Sequence, residues 1–259
     1  MKSASVAILF GLFIGLAVSQ IVGAGAANPA QEKATKNETD EYLGPTVDYE
    51  LDFQIAAQAN PKARALREIR GRRYNQRAPE PLAHLPSNWE GYATGTDWYL
   101  YVPALPVEKS DAVIVGEVGA SEAHLSVDKT GVYSEFSIKV DQILKNHEDS
   151  SLNVGELTIG EREGGVVRFQ DGRLFRYRVY HQGMPRPSRR YLFFLSRNHE
   201  GEDYTIVTAY ELRGGQVTPL DQSKAFSSFQ GADDQSFLNK VRDEIERTQK
   251  PRRERREEK

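Results

Sequence analysis

The chain has 259 residues, a formal net charge of −3 and a hydrophobic fraction of 39%. This length allows one or two domains, and so small a net charge gives no global field that would select nucleic acid as a partner. The absence of cysteine excludes disulfides, thiol catalysis and cysteine-ligated zinc.

The N-terminus has the features of an export signal. Lys2 precedes an uninterrupted apolar run from Val6 to Val18, and Ala24 and Ala26 form an Ala-x-Ala sequence. This order predicts a cleaved signal peptide over residues 1–26. The alternative is a retained membrane anchor, because the segment is long enough to cross a bilayer that needs about 20 residues. Both alternatives place the rest of the chain outside the cytoplasm, periplasmic or secreted, with membrane contact only if the anchor is retained.

A polar segment and a basic helix follow. Residues 27–59 are predicted to be a flexible spacer because polar residues dominate them. A helix is predicted over 60–74, where Asn60 can cap the first turn and Pro61 suits its first position. Ala63, Leu66 and Ile69 would form its narrow apolar stripe.

The predicted helix is strongly basic. Over residues 60–77, seven basic residues stand against Glu68 alone: Lys62, Arg64, Arg67, Arg70, Arg72, Arg73 and, just after the helix, Arg77. The helix either contacts an anionic lipid, nucleic acid or acidic polymer, or it presents a solvated charged face. The solvated face is the preferred interpretation, because most charge runs are simply solvated.

The extension over 60–109 continues with a stretch rich in proline and aromatic residues. Its prolines exclude a long helix. Trp89 and Trp98, together with nearby tyrosines, are candidates for an aromatic platform that binds a sugar or a peptide. The preferred alternative is that these rings pack on the domain behind them, because aromatic side chains bury large areas.

Residues 110–220 have the alternation of β-strands. Residues 111–118 are apolar on both faces, as in a buried strand. Residues 132–144 alternate until Ile143 and Leu144 break the parity, which predicts a bulge or a strand end. Further strands are predicted at 154–160, 166–169, 173–181, 191–195, 203–212 and 216–218, with a hairpin turn at Asp171-Gly172. Seven or eight closely spaced strands predict a barrel or a sandwich.

A helix is predicted at the C-terminal end, over 232–250. Its apolar residues recur at helical spacing: Phe237, Leu238, Val241 and Ile245. Asp233 or Asp234 can cap its first turn. Pro251 is expected to stop the helix, and the charged tail 251–259 is predicted to be disordered.

Three segments resemble, in their order and composition, the netrin/tissue-inhibitor-of-metalloproteinase-like module. They are SDAVIVGEV (110–118), FSIKVDQILKN (136–146) and RRYLFFL (189–195), the last after a glycine- and proline-containing loop. The resemblance implies an OB-fold barrel, as in exported bacterial proteins with a cysteine-free version of it. Members that inhibit metalloproteinases use an N-terminal cysteine, so no inhibitory residue carries over to this chain.

The fold prediction is therefore a mainly β protein. It has an OB-like or NTR-like β-barrel over 110–220, an N-terminal extension with one helix, and a C-terminal helix.

No catalytic, metal or cofactor motif stands out. The five histidines are scattered, and the sequence has no nucleophile elbow, P-loop or dinucleotide fingerprint. Glu161 and Glu163 in GEREGG (160–165) could hold a cation, but this segment is predicted to be a hairpin turn. No cofactor and no metal are expected, and the pattern favours a non-catalytic protein.

Arginines are the main binding candidates. Arg176 and Arg178 share one face of the strand 173–181, and OB-type barrels bind polyanions on such faces. The preferred alternative is cross-strand pairing with Glu161, Glu163 and Asp171. The full set of candidate partner-binding residues is Arg173, Arg176, Arg178, Arg189, Arg190, Trp89 and Trp98.

These observations favour a non-catalytic exported binding or interaction module of the bacterial cell envelope, whose partner is a protein or an anionic polymer. The alternatives are a protease-inhibitor-like domain and a hydrolase that uses dispersed carboxylates.

Overall fold

The computed structural model of the protein describes residues 42, 44–86, 91–92, 102–147 and 152–257, with the backbone alone for 91–92 and 250–257. The predicted signal segment, Trp89 and Trp98 lie outside the described residues. Within the described ranges, no helix is both long and apolar enough to cross a membrane.

Ten strands and four α-helices make up the described part of the chain. The strands are β1 (Thr46–Asp48), β2 (Gly91–Tyr92), β3 (Ala112–Leu125), β4 (Val132–Lys145), β5 (Leu157–Glu163), β6 (Gly165–Arg168), β7 (Leu174–Arg178), β8 (Arg190–Asn198), β9 (Asp203–Arg213) and β10 (Gln216–Pro219). The helices are α1 (Asp52–Gln58), α2 (Pro61–Arg72), α3 (Lys224–Ser227) and α4 (Asp234–Glu257).

Five strands form a closed barrel in the order β3-β4-β5-β9-β8, and β8 pairs back with β3. The pair β5–β9 is parallel and the other four pairs are antiparallel. This is the five-stranded architecture of an OB-like barrel, so the predicted fold class is confirmed.

The apolar character of β3 on both faces follows from its position. Ala112 and Ile114 point into the barrel core, whereas Val113 and Val115 pack in an outer core beneath α4. The predicted bulge in β4 is also confirmed. Val113 pairs with Lys145 but Ile114 pairs with Ile143, so Leu144 is left over in the ladder.

A second sheet, in the order β1-β6-β7-β2, packs on the far ends of β3 and β4. The core between them includes Leu125, Val132, Val167 and Phe175. The hairpin predicted at Asp171-Gly172 connects β6 and β7 and is confirmed.

The hairpin turn predicted at residues 160–165 is wrong, because residues 160–163 belong to β5. The chain turns at Gly164 and Gly165 instead, whose φ angles are 117° and 147°. These angles are rare for residues with a side chain. A Cβ at Gly164 would also lie only 2.4 Å from Met184 Cε. The glycine pair therefore allows the corner that carries the chain from the barrel into the second sheet.

The prediction of a flexible spacer is wrong for residues 46–58, which form β1 and α1, so the N-terminal extension has two α-helices among its described residues. β1 pairs in parallel with β6. The Asp52 carboxylate accepts a hydrogen bond from the Leu125 backbone N–H at 3.1 Å. Polar composition failed as a guide here because the ordering contacts come from distant strands. The caps predicted for α2 are confirmed, since Asn60 accepts a hydrogen bond from Ala63 N at 2.9 Å and Pro61 opens the helix.

The C-terminal helix is present and is capped as predicted, because Asp233 Oδ1 accepts a hydrogen bond from Ser236 N at 2.8 Å. All four predicted apolar residues lie in the outer core: Phe237, Leu238, Val241 and Ile245. The predicted stop at Pro251 and the predicted disorder of 251–257 are wrong, because α4 continues to Glu257. Proline costs a helix interior about 3 kcal/mol, but arginine and glutamate are good helix formers and propagation from an existing helix is cooperative.

Candidate functional site

The outer surface of the second sheet carries the predicted arginine strand. Phe175 and Tyr177 are buried in the core below the sheet, so the alternate residues of β7 point outward. Arg176 is exposed beside Val166 on the neighbouring strand. We call this outward surface the β7 face; its residues are Val166, Arg168, Leu174, Arg176 and Arg178.

The predicted partner-binding arginines do not form one surface. Arg173, Arg176 and Arg178 belong to the second sheet and its hairpin, whereas Arg189 and Arg190 lie at the start of the barrel strand β8.

Four of these five arginines, Arg178 among them, already have intramolecular contacts. The Arg173 guanidinium lies 4.3 Å from the Phe169 ring centroid, with its Nε 3.7 Å from Asp171. The remaining two pairs are Arg189–Glu211 at 3.7 Å and Arg190–Asp141 at 3.1 Å.

Arg176 differs from them, because it forms no ion pair with any described residue. The preferred interpretation of the arginine strand, pairing with Glu161 and Glu163, is therefore wrong. Of the three predicted acidic partners, only Asp171 pairs with an arginine of this group, namely Arg173.

Glu161 and Glu163 instead contact α2 and the residues just after it. The solvated charged face preferred for this helix is confirmed for Lys62, Arg64 and Arg72, which are exposed, and is wrong for the side that faces the barrel. Arg67, Arg70 and Arg73 recur at every third residue and so share one side of the helix, which faces the barrel. These three arginines and Arg77 contact five carboxylates: Asp52, Glu135, Glu161, Glu163 and Asp203. We call the four arginines and five acids together the α2 cluster. Sequence analysis missed the cluster because its acids come from α1, β4, β5 and β9.

The contacts within the α2 cluster are close and largely shielded from solvent. Arg73 makes a two-pronged contact with Asp203, at 2.9 and 2.8 Å. The other pairs are Arg67–Asp52 at 2.5 Å, Arg70–Glu135 at 3.0 Å and Arg77–Glu163 at 3.2 Å. Arg70 Nη2 also donates to the Gly201 carbonyl at 2.8 Å. The charge of α2 on this side is therefore neutralised within the chain.

Two carboxyl groups meet at the centre of the cluster. Glu161 and Asp203 both lie against Arg70 and Arg73, and both acidic side chains are 0% exposed. Burial, reinforced by Asp203 and opposed by Arg73, raises the pKa of Glu161 to about 9. The Tyr74 hydroxyl donates to Glu161 Oε2 at 3.1 Å, and burial raises the pKa of Tyr74. A proton on Glu161 leaves four charged carboxylates facing four arginines.

A protonated carboxyl beside a second carboxyl is the chemistry of a general acid. Arg70 and Arg73 lie against both groups, however, and neither group is exposed. A substrate could reach them only after α2 had moved. In the described arrangement the two carboxyl groups contact groups of the α2 cluster and Tyr74, so their role is structural.

A second buried ion pair, Arg162–Asp221, lies on the inward side of β5. Two nitrogens of the guanidinium donate to the two Asp221 oxygens, at 2.8 and 2.6 Å. Asp221 also accepts hydrogen bonds from the Thr208 hydroxyl at 2.7 Å and from Gly183 N at 2.9 Å. The pair ties the loop before β8 and the segment after β10 to the barrel. The only sign of this pair in the sequence was the alternation of the strand, which places Arg162 on the same inward face as Gly160.

The described residues contain no group of three or more histidine, cysteine, aspartate or glutamate side chains that could hold a metal ion. Comparisons with protein-family models, with curated proteins and with solved structures give no match to this chain. The class defined by the described part of the chain is an OB-like barrel with an added sheet and a packed C-terminal helix. The netrin-like kinship stays a prediction.

Proposed function

We propose that the protein is a non-catalytic binding module, exported to the bacterial cell envelope, that holds an anionic polymer on the β7 face. Export rests on the N-terminal sequence pattern. The binding proposal rests on Arg176, an exposed residue of β7 that has no carboxylate partner among the described residues.

The surroundings of Arg176 suit an extended anionic ligand. Arg178 lies two residues further along the same face, about 6.6 Å away by the rise of a strand. Leu174, 55% exposed, and Val166 supply apolar surface beside the two arginines. Arg168 is the third arginine of the face and lies 3.4 Å from Asp48. A planar guanidinium can donate two parallel hydrogen bonds to a phosphate, sulfate or carboxylate group.

The other arginine-rich surface of the molecule is a weaker candidate. On α2, the residues Arg67, Arg70 and Arg73 are occupied by carboxylates of the same chain. An anion approaching that side would meet Glu135 and the neighbouring acids, which repel it. The β7 face is therefore the better surface for an anion.

Heparin-agarose chromatography of the mature chain tests this proposal. We expect retention that weakens with salt, because exposed charges are screened at high ionic strength. Arg176→Ala should bind roughly two- to fivefold more weakly, the effect of an exposed charge contact worth about 0.5–1 kcal/mol. Arg176→Lys should recover part of this loss, since it restores the charge but not the two-pronged geometry.

Arg64→Ala is the matched control, because Arg64 is an exposed arginine on α2 and its loss changes the net charge equally. We expect this variant to elute with the wild type. Equal weakening by both substitutions would show that only net charge matters and would overturn the assignment of the β7 face. Wild-type protein that is not retained at low salt would also overturn it.

A hydrolase is the second candidate, and the observation in its favour is the Glu161–Asp203 pair with its raised Glu161 pKa. It requires α2 to open, as argued above. Turnover of a chromogenic glycoside or ester by the wild type that disappears in Glu161→Gln would favour the hydrolase over the binding module.

A further inference from the structure

The contact between α2 and the barrel differs in kind from the contact made by α4. α4 is attached through apolar side chains of the outer core. On α2, Leu66 and Ile69 are only half-buried, and neither belongs to any of the three hydrophobic cores. The predicted apolar stripe is thus not what attaches this helix.

Charged groups and one aromatic contact attach α2 instead. Tyr74, just after the helix, stacks on Tyr133 of β4 with ring centroids 4.6 Å apart. Arg67 lies over the same Tyr133 ring at 5.2 Å and donates to the Leu125 carbonyl at 3.1 Å. The remaining contacts are the ion pairs of the α2 cluster. An attachment of this kind depends on the charge state of its members far more than an apolar one does.

Four of the five acids of the cluster lie on the outer surfaces of neighbouring strands, and Asp52 lies on α1. Glu135 on β4 pairs directly with Glu161 on β5, and Tyr133 pairs with Glu163 one step along the ladder. Asp203 begins β9. Like charges on adjacent positions of a sheet repel each other. With α2 removed, this surface would be strongly acidic.

We propose that α2 is a releasable clasp: ionisation of the buried Glu161 carboxyl undocks the helix and uncovers the acidic outer face of β4, β5 and β9. The geometric basis is the excess of carboxylates, five against four arginines, with the 0% exposed side chains of Glu161 and Asp203 at the centre. Ionisation adds an uncompensated negative charge at that centre, and undocking hydrates it.

The groups that surround the proton belong to four parts of the chain. They are Arg70 and Arg73 of α2 and its C-cap, with Tyr74 following, Tyr133 and Glu135 on β4, Glu163 on β5, and Asp203 on β9. His124 lies against Asp52 at 3.4 Å and Glu135 at 3.9 Å, at the other end of the cluster.

The direction of the pH effect follows from the positions of the two pKa values. In the docked state Glu161 keeps its proton up to about pH 9, whereas a hydrated glutamate ionises near its ordinary value of 4.5. The contribution of Glu161 to docking is therefore complete near that ordinary value and is lost as pH rises through the interval. The ratio of undocked to docked protein should rise by up to about tenfold per pH unit, because one proton is released on undocking.

The absence of native cysteine allows a direct measurement on the full chain. Arg64→Cys on α2 and Lys139→Cys on β4 are both exposed sites and can carry a pair of spin labels. We expect a single short distance at pH 6 and a growing longer-distance population between pH 7 and pH 10. Far-UV circular dichroism, measured in parallel, should stay constant, because the barrel does not unfold.

Glu161→Gln removes the titrating proton and should keep the short distance up to pH 10. Arg73→Lys keeps the charge but loses the two-pronged contact, so it should open at a lower pH than the wild type. This second variant keeps the proposal testable if Glu161→Gln fails to fold. A wild-type distance that is unchanged to pH 10 would overturn the clasp, as would opening in Glu161→Gln that matches the wild type.

Discussion

Arg162 and Asp221 form an ion pair with side chains only 1% and 0% exposed. Removing two charges from water is costly, and the cost is offset here by two-pronged geometry and by hydrogen bonds from Thr208 and Gly183. Such a pair is sensitive to the loss of one partner, because the remaining charge stays buried without compensation.

At the residue scale we therefore predict that Asp221→Ala destabilises the protein by about 3–5 kcal/mol, the usual consequence of breaking a buried pair. Urea unfolding followed by circular dichroism would measure this change in the free energy of unfolding. Glu68→Ala is the control, because the pair Glu68–Arg72 has exposed side chains, and it should cost less than about 1 kcal/mol. A cost for Asp221→Ala as small as that of the control would contradict the structural role of the pair.

The two longer helices with described side chains show that similar elements can be attached by different forces. α4 follows the 3.6-residue period, so its apolar residues form one stripe that packs in the outer core. α2 follows the same period with arginines, and its stripe meets acids. Apolar burial is almost independent of pH, whereas the α2 contact is not. The two helices should therefore respond differently to pH and salt.

At the element scale we predict that Phe237→Ala destabilises the protein by about 3–5 kcal/mol through the cavity it leaves. Phe237 is 1% exposed, and its ring lies 4.8 Å from Tyr210 and 4.9 Å from Phe229. Thermal or chemical unfolding would measure the loss at both pH 6 and pH 9. Gln235→Ala, on the exposed side of the same turn, should change stability by less than about 0.5 kcal/mol. A loss for Phe237→Ala below about 1 kcal/mol would mean that α4 is not packed as described.

At the scale of the whole molecule, closure of the barrel requires close packing where β5 meets β9. The parallel contact between β5 and β9 joins Gly160 to Tyr204 and brings Ile138 and Ile206 together inside. A Cβ at Gly160 would lie 2.9 Å from Ile138 Cδ1 and 2.9 Å from Ile206 Cγ1. This glycine therefore serves packing, since the space that a side chain needs is already filled.

At the scale of the whole molecule we predict that Gly160→Ala lowers the midpoint of cooperative unfolding, with a cost of about 1–3 kcal/mol from overpacking. Differential scanning calorimetry would show whether the transition stays single. Gly119→Ala on β3 is the matched control, because a Cβ there meets only the Ser137 carbonyl oxygen at 3.7 Å. The two variants should differ clearly, and equal stability would argue against closure at the β5–β9 contact.

Local sequence patterns correctly predicted the strands and the helix whose buried residues all lie on one face. The alternation from Phe136 to Val140, the turn at Asp171-Gly172 and the apolar stripe of α4 all depend on periodicity within a few residues. For this reason the barrel strands, the hairpin and the C-terminal helix could be predicted from the sequence. The helix was nevertheless expected to end at Pro251, because this one proline was given more weight than the favourable helix propensity of the charged residues around it.

The candidate surfaces depended on contacts between distant residues. Arg176 and Arg178 were placed correctly on one face of a strand, since parity alone decides that. Whether an arginine is free or paired depends on which carboxylates the fold brings near it. For this reason the partners predicted for Glu161 and Glu163 were wrong.

By itself the sequence determined a cysteine-free, mainly β chain with a basic helix before the barrel and an amphipathic helix after it, because these features are encoded in composition and short-range period. Only the tertiary structure decided that α2 lies on an acidic face, that Glu161 meets Asp203, and that Arg162 is buried against Asp221. Ion pairs between residues far apart in the chain leave no local pattern in the sequence, because the two partners meet only after their strands or helices have packed together.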